Sequence, residues 1–218
     1  MGLFTSPVQE KSDISDEMNY KRANQEVYET YAKEFEIRTK GSLTNQLLKN
    51  IGLFIKRLPG REVLDLGSGP GRDALLMKER GLNPLCFDIS RKMIELCKQK
   101  GLRAQIGDLE ALPFKDNAFD GVLACTSLLH MPKSNLPAAL SDINRILKSR
   151  GQFYLNMKEG DFEGFIESDK YPGMERFFSL YSDEELRRFL SNYFKIECAF
   201  RESLGDATFL GYLCESKK

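Results

Sequence analysis

The stretch Val63-Leu64-Asp65-Leu66-Gly67-Ser68-Gly69-Pro70-Gly71 decides the fold. A short apolar run gives way at once to three glycines at alternate positions, which reads as a strand ending in a tight turn. Arg72 to Arg80 then continues as a helix. Glycines lack a Cβ, so the chain can turn sharply and a ligand can approach the backbone. The helix after the turn directs free N–H groups toward that ligand. By itself the turn indicates a nucleotide-like ligand and no particular one.

Strands and helices alternate after it. Glu62 to Leu66 and Asn83 to Asp88 read as the first two strands, and Ser90 is a natural N-cap for a helix from Arg91 to Gln99 that Gly101 closes. Arg103 to Ile106 and Phe119 to Cys125 read as the third and fourth strands. A helix from Leu136 to Lys148 is expected to end at Ser149-Arg150-Gly151, with Gln152 to Asn156 as the fifth strand. Ser182 and Glu185 form a capping-box signature at the start of a last helix. Phe194 to Phe200 and Ala207 to Cys214 read as two strands joined by Gly205-Asp206. The expected architecture is α/β, a three-layer open sheet of about seven strands, mostly parallel with an antiparallel C-terminal strand.

Before the turn, residues 1–15 are polar, contain Pro7 and show no period, which predicts a mobile N-terminus. Leu3-Phe4 is followed at once by polar residues, so no secretion signal is expected. Met18, Val27, Tyr28, Tyr31 and Phe35 recur at helical spacing between Asp16 and about Arg38. Leu43, Leu47, Leu48, Ile51 and Ile55 predict a second helix that stops at Pro59-Gly60.

The 218 residues suit one domain with a substantial core, here residues 16–218. No apolar run approaches the length of a membrane span, so no membrane partner is expected. Lys+Arg and Asp+Glu balance at 32 each, which disfavours a large nucleic-acid substrate and moves small molecules up. The five cysteines are odd in number, widely spaced and free of C-x-x-C. That pattern fits reduced thiols in a cytoplasm, and neither a disulfide framework nor a zinc or other metal site.

Two details discriminate between ligands of the turn. The dinucleotide fingerprint is G-x-G-x-x-G, whereas Arg72 stands where its third glycine would be. Asp65, two residues before the first glycine, suits a ligand bearing an ammonium group better than a pyrophosphate. Both point away from a nicotinamide dinucleotide. Asp88, at the end of the second strand, can accept from two ribose hydroxyls. Asp108 is placed to accept from an exocyclic adenine amine, and Ile89 and Leu109 could sandwich the ring.

The succession of Val63–Gly71, Phe87-Asp88-Ile89-Ser90, Gly107-Asp108-Leu109-Glu110-Ala111-Leu112-Pro113-Phe114 and Phe119-Asp120 resembles the seven-stranded class I methyltransferases, in particular their small-molecule branch. The resemblance covers about Tyr28 to Asn156 well and the rest loosely. It implies S-adenosylmethionine as cofactor, S-adenosylhomocysteine as product, and methyl transfer by in-line displacement to a small or medium-sized acceptor. The family's cofactor contacts fall on Gly67, Gly69, Asp88, Ile89, Asp108 and Leu109, with Asp65 lining the amino-acid end.

Residues Ala124 to Pro132 end the fourth strand, where such enzymes place the methyl group and its acceptor. Cys125 and Thr126 are expected as wall residues whose backbone borders the cofactor. Cys125 lacks the preceding proline of cytosine-C5 enzymes, and no N-P-P-aromatic run marks a base-amine enzyme. His130, the single histidine, is either a general base or a packed edge of the pocket. Residues 16–58 are expected to form a helical lid, with Tyr28, Tyr31 and Arg38 over the methionine end and Arg38 paired with its carboxylate. The aromatic-rich insert 160–181 either shapes the acceptor side or forms a satellite core. The rival readings are an RNA or protein methyltransferase, a non-catalytic S-adenosylmethionine-binding module, and a nicotinamide-dependent oxidoreductase. A monomer or a homodimer is compatible with all of them.

Overall fold

The computed structural model describes residues 12–41 and 44–218, residues 12–19 by their backbone alone. The expectations for residues 1–11, for Leu43 and for the packing of Met18 lie outside the described residues. Three helices come first, α1 (Ser12–Thr30), α2 (Ala32–Thr39) and α3 (Asn45–Arg57). Then follow β1 (Glu62–Leu66), α4 (Arg72–Glu79), β2 (Asn83–Asp88), α5 (Arg91–Gln99), β3 (Arg103–Ile106) and β4 (Phe119–Cys125). The chain continues through α6 (Leu136–Ile146), β5 (Leu147–Lys158), β6 (Phe162–Glu167), β7 (Glu175–Leu180), α7 (Asp183–Ser191), β8 (Phe194–Leu204) and β9 (Ala207–Ser216).

Seven strands form one sheet in the order β3-β2-β1-β4-β5-β9-β8. The strands from β3 to β5 run parallel, and β9 is antiparallel to both β5 and β8. Alternation along each strand sorts its side chains between two layers. Leu64, Leu66, Val122, Ala124, Phe153 and Leu155 pack with Leu140 and Ile143 of α6 and Leu186 and Leu190 of α7. Val63, Leu123, Tyr154 and Leu213 pack on the other face against Ile51 and Phe54 of α3 and Met77 of α4. Cys86, Ala74, Ile94 and Cys97 join α4 and α5 over β2. Each fully buried side chain of this size contributes about 1.5–3 kcal/mol, so a one-residue slip of a central strand would be costly. The alternation also fixes where the polar residues go. Asp65 and Cys125 share the α3/α4 face with Val63 and Leu123.

Four differences from the sequence reading have physical causes. The helix expected from Asp16 to Arg38 starts at Ser12 and breaks at Tyr31, whose backbone leaves helical values (φ −108°, ψ 25°) as its ring meets Tyr171 edge-on at 5.2 Å. The helix expected to reach Lys148 ends at Ile146. Leu147 turns to extended backbone, is fully buried and pairs with Phe119, so β5 begins five residues early. The insert is ordered as an antiparallel β6–β7 pair. Finally, α3 is a layer of the sheet rather than part of a lid. The Ser90 cap and the Ser182–Glu185 capping box form as expected.

Candidate active site

The carboxyl ends of β1, β2 and β4 open into a cleft of about 860 Å³, counted together with the open space at its mouth. The sheet edge supplies Gly67, Gly69, Asp88, Ile89, Leu109, Cys125, Thr126 and His130 to its lining. From above, α1 and α2 supply Asn24, Tyr28, Phe35 and Thr39. The first of these helices is tied down: Gln25 donates to the Ile89 carbonyl, and the Glu29 carboxylate accepts from the first amides of α5.

The three glycines of the turn do different work. A Cβ on Gly67 would stand 2.2 Å from the Ser127 Cβ, because Ser127 latches onto the end of β1 by donating to the Leu66 carbonyl at 2.7 Å. A Cβ on Gly71 would meet Leu102 at 2.7 Å and Cys97 at 2.9 Å. Gly71 therefore gives the close helix packing that the dinucleotide fingerprint assigns to its third glycine, and Arg72 is left to face the cavity. Only Gly69 (φ +50°) is bounded by nothing nearer than Phe35 at 3.5 Å. Thr126, which borders the same space, also has positive φ (+55°). A β-branched residue rarely adopts this conformation, and such strain concentrates at ligand sites.

Asp88 closes the end of β2. Its two oxygens accept from the amides of Gly69 and Ser90, each at 2.9 Å. Burial outweighs these bonds and pushes its carboxyl up to about 6. Each oxygen keeps a second lone pair for a ligand hydroxyl. Asp65 is 2% exposed and does not line the cavity. It accepts from the Ala74 amide at the start of α4, which takes one of the helix N–H groups expected to face the ligand. Its Oδ2 has no partner, and burial together with the neighbouring Asp73 raises its pKa well above the usual carboxylate range. Asp73 does line the cavity, gripped by Arg72 at 2.8 and 2.9 Å.

The remaining expected site residues separate. Ile89 and Leu109 both face the cavity. Asp108 does not line it, since its carboxylate is held by Lys21 at 3.0 Å and by the Glu110 amide at 2.9 Å. Tyr31 and Arg38 also lie off the lining. Both turn to Tyr171, with the Arg38 guanidinium 4.6 Å from its ring, while Tyr28, Phe35 and Thr39 take the face toward the cavity. Cys125 borders the space with its thiol pushed up by burial, 3.8 Å from Arg72.

Both ring nitrogens of His130 are engaged. Nδ1 lies 2.9 Å from the Phe177 carbonyl, which can only accept, so Nδ1 carries the proton and Nε2 accepts from the Tyr28 hydroxyl at 2.8 Å. Burial, and the charge of Arg176, pull the ring down to about 4. Arg176 in turn donates to the Tyr28 oxygen at 3.1 Å. The Asn24 amide clamps the same corner, donating to the His130 carbonyl and accepting from the Phe177 amide. Asn24, Arg72, Asp73 and Arg176 were not legible as site residues. Only Asp73 left a signal, an acid in the first turn of the helix after the glycines.

A seven-stranded sheet in this order, with one antiparallel strand and a cavity over β1, β2 and β4, defines the class I methyltransferase fold. Residues 64–155 match the methyltransferase domain family, so the segment from β1 into β5 is a methyltransferase domain. It is 32% identical over 107 residues to a tRNA (carboxymethyluridine(34)-5-O)-methyltransferase of Arabidopsis thaliana, covering 46% of this chain and 25% of that protein. It is 30% identical over 156 residues to the ubiquinone/menaquinone biosynthesis C-methyltransferase UbiE of Rickettsia prowazekii, covering 59% of this chain and 62% of that protein. In both cases the match leaves more than a third of the relative uncovered. In fold it is similar to the 1,6-didemethyltoxoflavin-N1-methyltransferase of Burkholderia thailandensis, with a TM-score of 0.71, 18% identity, and coverage of 99% of this chain and 94% of that one.

Proposed function

We propose that the protein transfers a methyl group from S-adenosylmethionine to a small or medium-sized acceptor, and that it works in the cytoplasm, where its five free thiols stay reduced. The observation that carries this reading is the cavity bounded by Gly69, Asp88, Ile89, Leu109 and Thr126. In it the ribose lies against Asp88 and the adenine between Ile89 and Leu109. The donor set fits a zwitterionic amino-acid end: Arg72 and Asp73 face the cavity as opposite charges, and the unpartnered carboxylate oxygen of Asp65 lies behind them. An ammonium group there balances two carboxylates that share a single guanidinium.

The bound cofactor supplies the electrophilic methyl, so the protein mainly orients and excludes water. Here α1 and α2 close the cavity, while Thr126 and His130 border the acceptor. With His130 neutral and its Nε2 occupied, the ring holds the acceptor side in place and does not serve as a ready base. The UbiE relative supports a small acceptor, and the tRNA enzyme keeps RNA as a second reading. Binding to tRNA that collapses between low and moderate salt would favour RNA.

Calorimetry with S-adenosylhomocysteine is expected to show binding that Asp88→Ala weakens by about tenfold or more. Labelled methyl from S-adenosylmethionine should then pass to a component of a metabolite extract. Unchanged affinity in Asp88→Ala would remove the ribose from this position.

A further inference from the structure

We propose that the methyl acceptor carries an anionic group, a carboxylate or a phosphate, and that Arg176 on β7 holds it beside the His130 wall of the cavity. The inference rests on the methyltransferase reading and names the substrate class of that same site. Arg176 is half-buried, and its guanidinium lies over three rings, 4.6 Å from Tyr171, 4.8 Å from Phe178 and 5.8 Å from Tyr28. It donates to the Tyr28 hydroxyl, while its Nε is buried with no hydrogen-bond partner. Among the described residues no carboxylate pairs with it.

Several other half-buried cations are neutralised. Lys21 meets Asp108, Arg72 meets Asp73, Lys100 meets Glu36 and Lys133 meets Glu185. Ring faces offset part of the cost of desolvating a guanidinium, but they leave its charge uncompensated. Arg38, although exposed to solvent, brings a second cation to the same place. It lies 4.6 Å from the same Tyr171 ring, and no carboxylate among the described residues pairs with it either. Two guanidiniums on one tyrosine, without a counter-charge, make a site for an anion.

The position fits an acceptor. Tyr28 and His130 line the cavity and share a hydrogen bond, so Arg176 stands one hydrogen bond behind that wall. Phe178 stacks on His130 with ring centroids 4.7 Å apart. An arginine fork matches carboxylate and phosphate oxygens in two parallel hydrogen bonds. His130 is neutral here and does not compete for the anion.

The test titrates benzoate, benzyl phosphate and the neutral isostere benzamide into protein saturated with S-adenosylhomocysteine, following the His130 and Phe178 ring signals by NMR. Both or one of the anions should bind at least about tenfold more tightly than benzamide, the stronger of them distinguishing carboxylate from phosphate. Arg176→Gln should erase the preference and Arg176→Lys should keep part of it. S-adenosylhomocysteine affinity should stay within about twofold in both variants. Benzamide binding as tightly as the anions to the unmodified protein overturns the proposal without any variant. So does an anion preference that survives Arg176→Gln, or a loss of S-adenosylhomocysteine affinity in that variant, which would make Arg176 a partner of the cofactor carboxylate. Absence of S-adenosylhomocysteine binding in the unmodified protein is a separate failure, that of the methyltransferase reading itself.

Discussion

The β1–α4 turn and the corner where β4 meets the β6–β7 pair border the same cavity and are built in opposite ways. The turn is made of backbone and glycine from one short stretch. Its amides bond to β2 next door, Gly67 and Ser68 to the Phe87 carbonyl and Gly69 to Asp88. The corner is made of side chains from distant segments. Tyr28 reaches His130 across 102 residues, Arg176 reaches Tyr28 across 148, and Asn24 reaches Phe177 across 153. A local backbone device can hold one cofactor while the long-range corner is rebuilt for different acceptors. Function in such folds resides in the appended elements rather than in the sheet.

The largest effect expected within this contrast comes from Gly67. An alanine there needs a left-handed backbone, costing roughly 1–2 kcal/mol, and overlaps Ser127, costing about 1–3 kcal/mol more. Gly67→Ala should therefore lower the melting temperature strongly and abolish S-adenosylhomocysteine binding. Gly69→Ala meets only Phe35 at 3.5 Å, so it should incur just the backbone cost of roughly 1–2 kcal/mol while weakening the cofactor at least about tenfold. Scanning calorimetry beside ligand titration separates the two. If both variants melt alike, the Ser127 latch is not the rigid feature described here.

A smaller effect is expected at Asn24. Asn24→Leu leaves the buried Phe177 amide and the His130 carbonyl without their partner, a loss of about 2–4 kcal/mol. The damage should be local. Hydrogen exchange is expected to speed up at the Phe177 amide and along β7, with β1 and β4 still protected. Uniform acceleration across the sheet would mean that the corner and the turn unfold as one unit, and the contrast between them would be lost.

What the sequence disclosed follows the same division. The sheet was legible because strand, glycine turn and capped helix each leave local marks, as at Val63–Gly71 and Ser90. Gly69, Asp88, Ile89 and Leu109 were legible because they sit at the ends of those strands. Asp65 and Asp108 were legible as acids but not as residues already engaged by the protein itself. Whether Ala74 N–H or Lys21 reaches them depends on packing outside the motif. Tyr31 and Arg38 show the same limit, because the break at Tyr31 rotates the helix face that follows. Arg176 lies in the insert, and its meaning depends on two rings of that insert and on Tyr28 of α1, a contact that no local pattern marks.

The smallest effect is a pH dependence that assigns one ionisation to the turn and none to the corner. Asp88 is raised to about 6 by burial, above the roughly 3.9 of a free aspartate. The folded protein thus keeps a proton that the unfolded chain has released, so this group's contribution to stability falls as pH rises from about 4 to about 6 and is flat above. Ribose hydroxyls need the ionised form as acceptor, so S-adenosylhomocysteine should bind about tenfold more weakly at one pH unit below that midpoint. His130 shifts the other way. Its folded value of about 4 lies below the ordinary value near 6.5, so its contribution is present above about 6.5 and is lost as pH falls toward 4. Through the range from 5 to 7 it stays neutral and leaves no inflection of its own. The affinity profile should therefore keep its midpoint near 6 in His130→Gln and lose it in Asp88→Asn. A midpoint that disappears with His130 instead would place the proton-linked contact at the corner, and the turn would then hold its ligand through backbone alone.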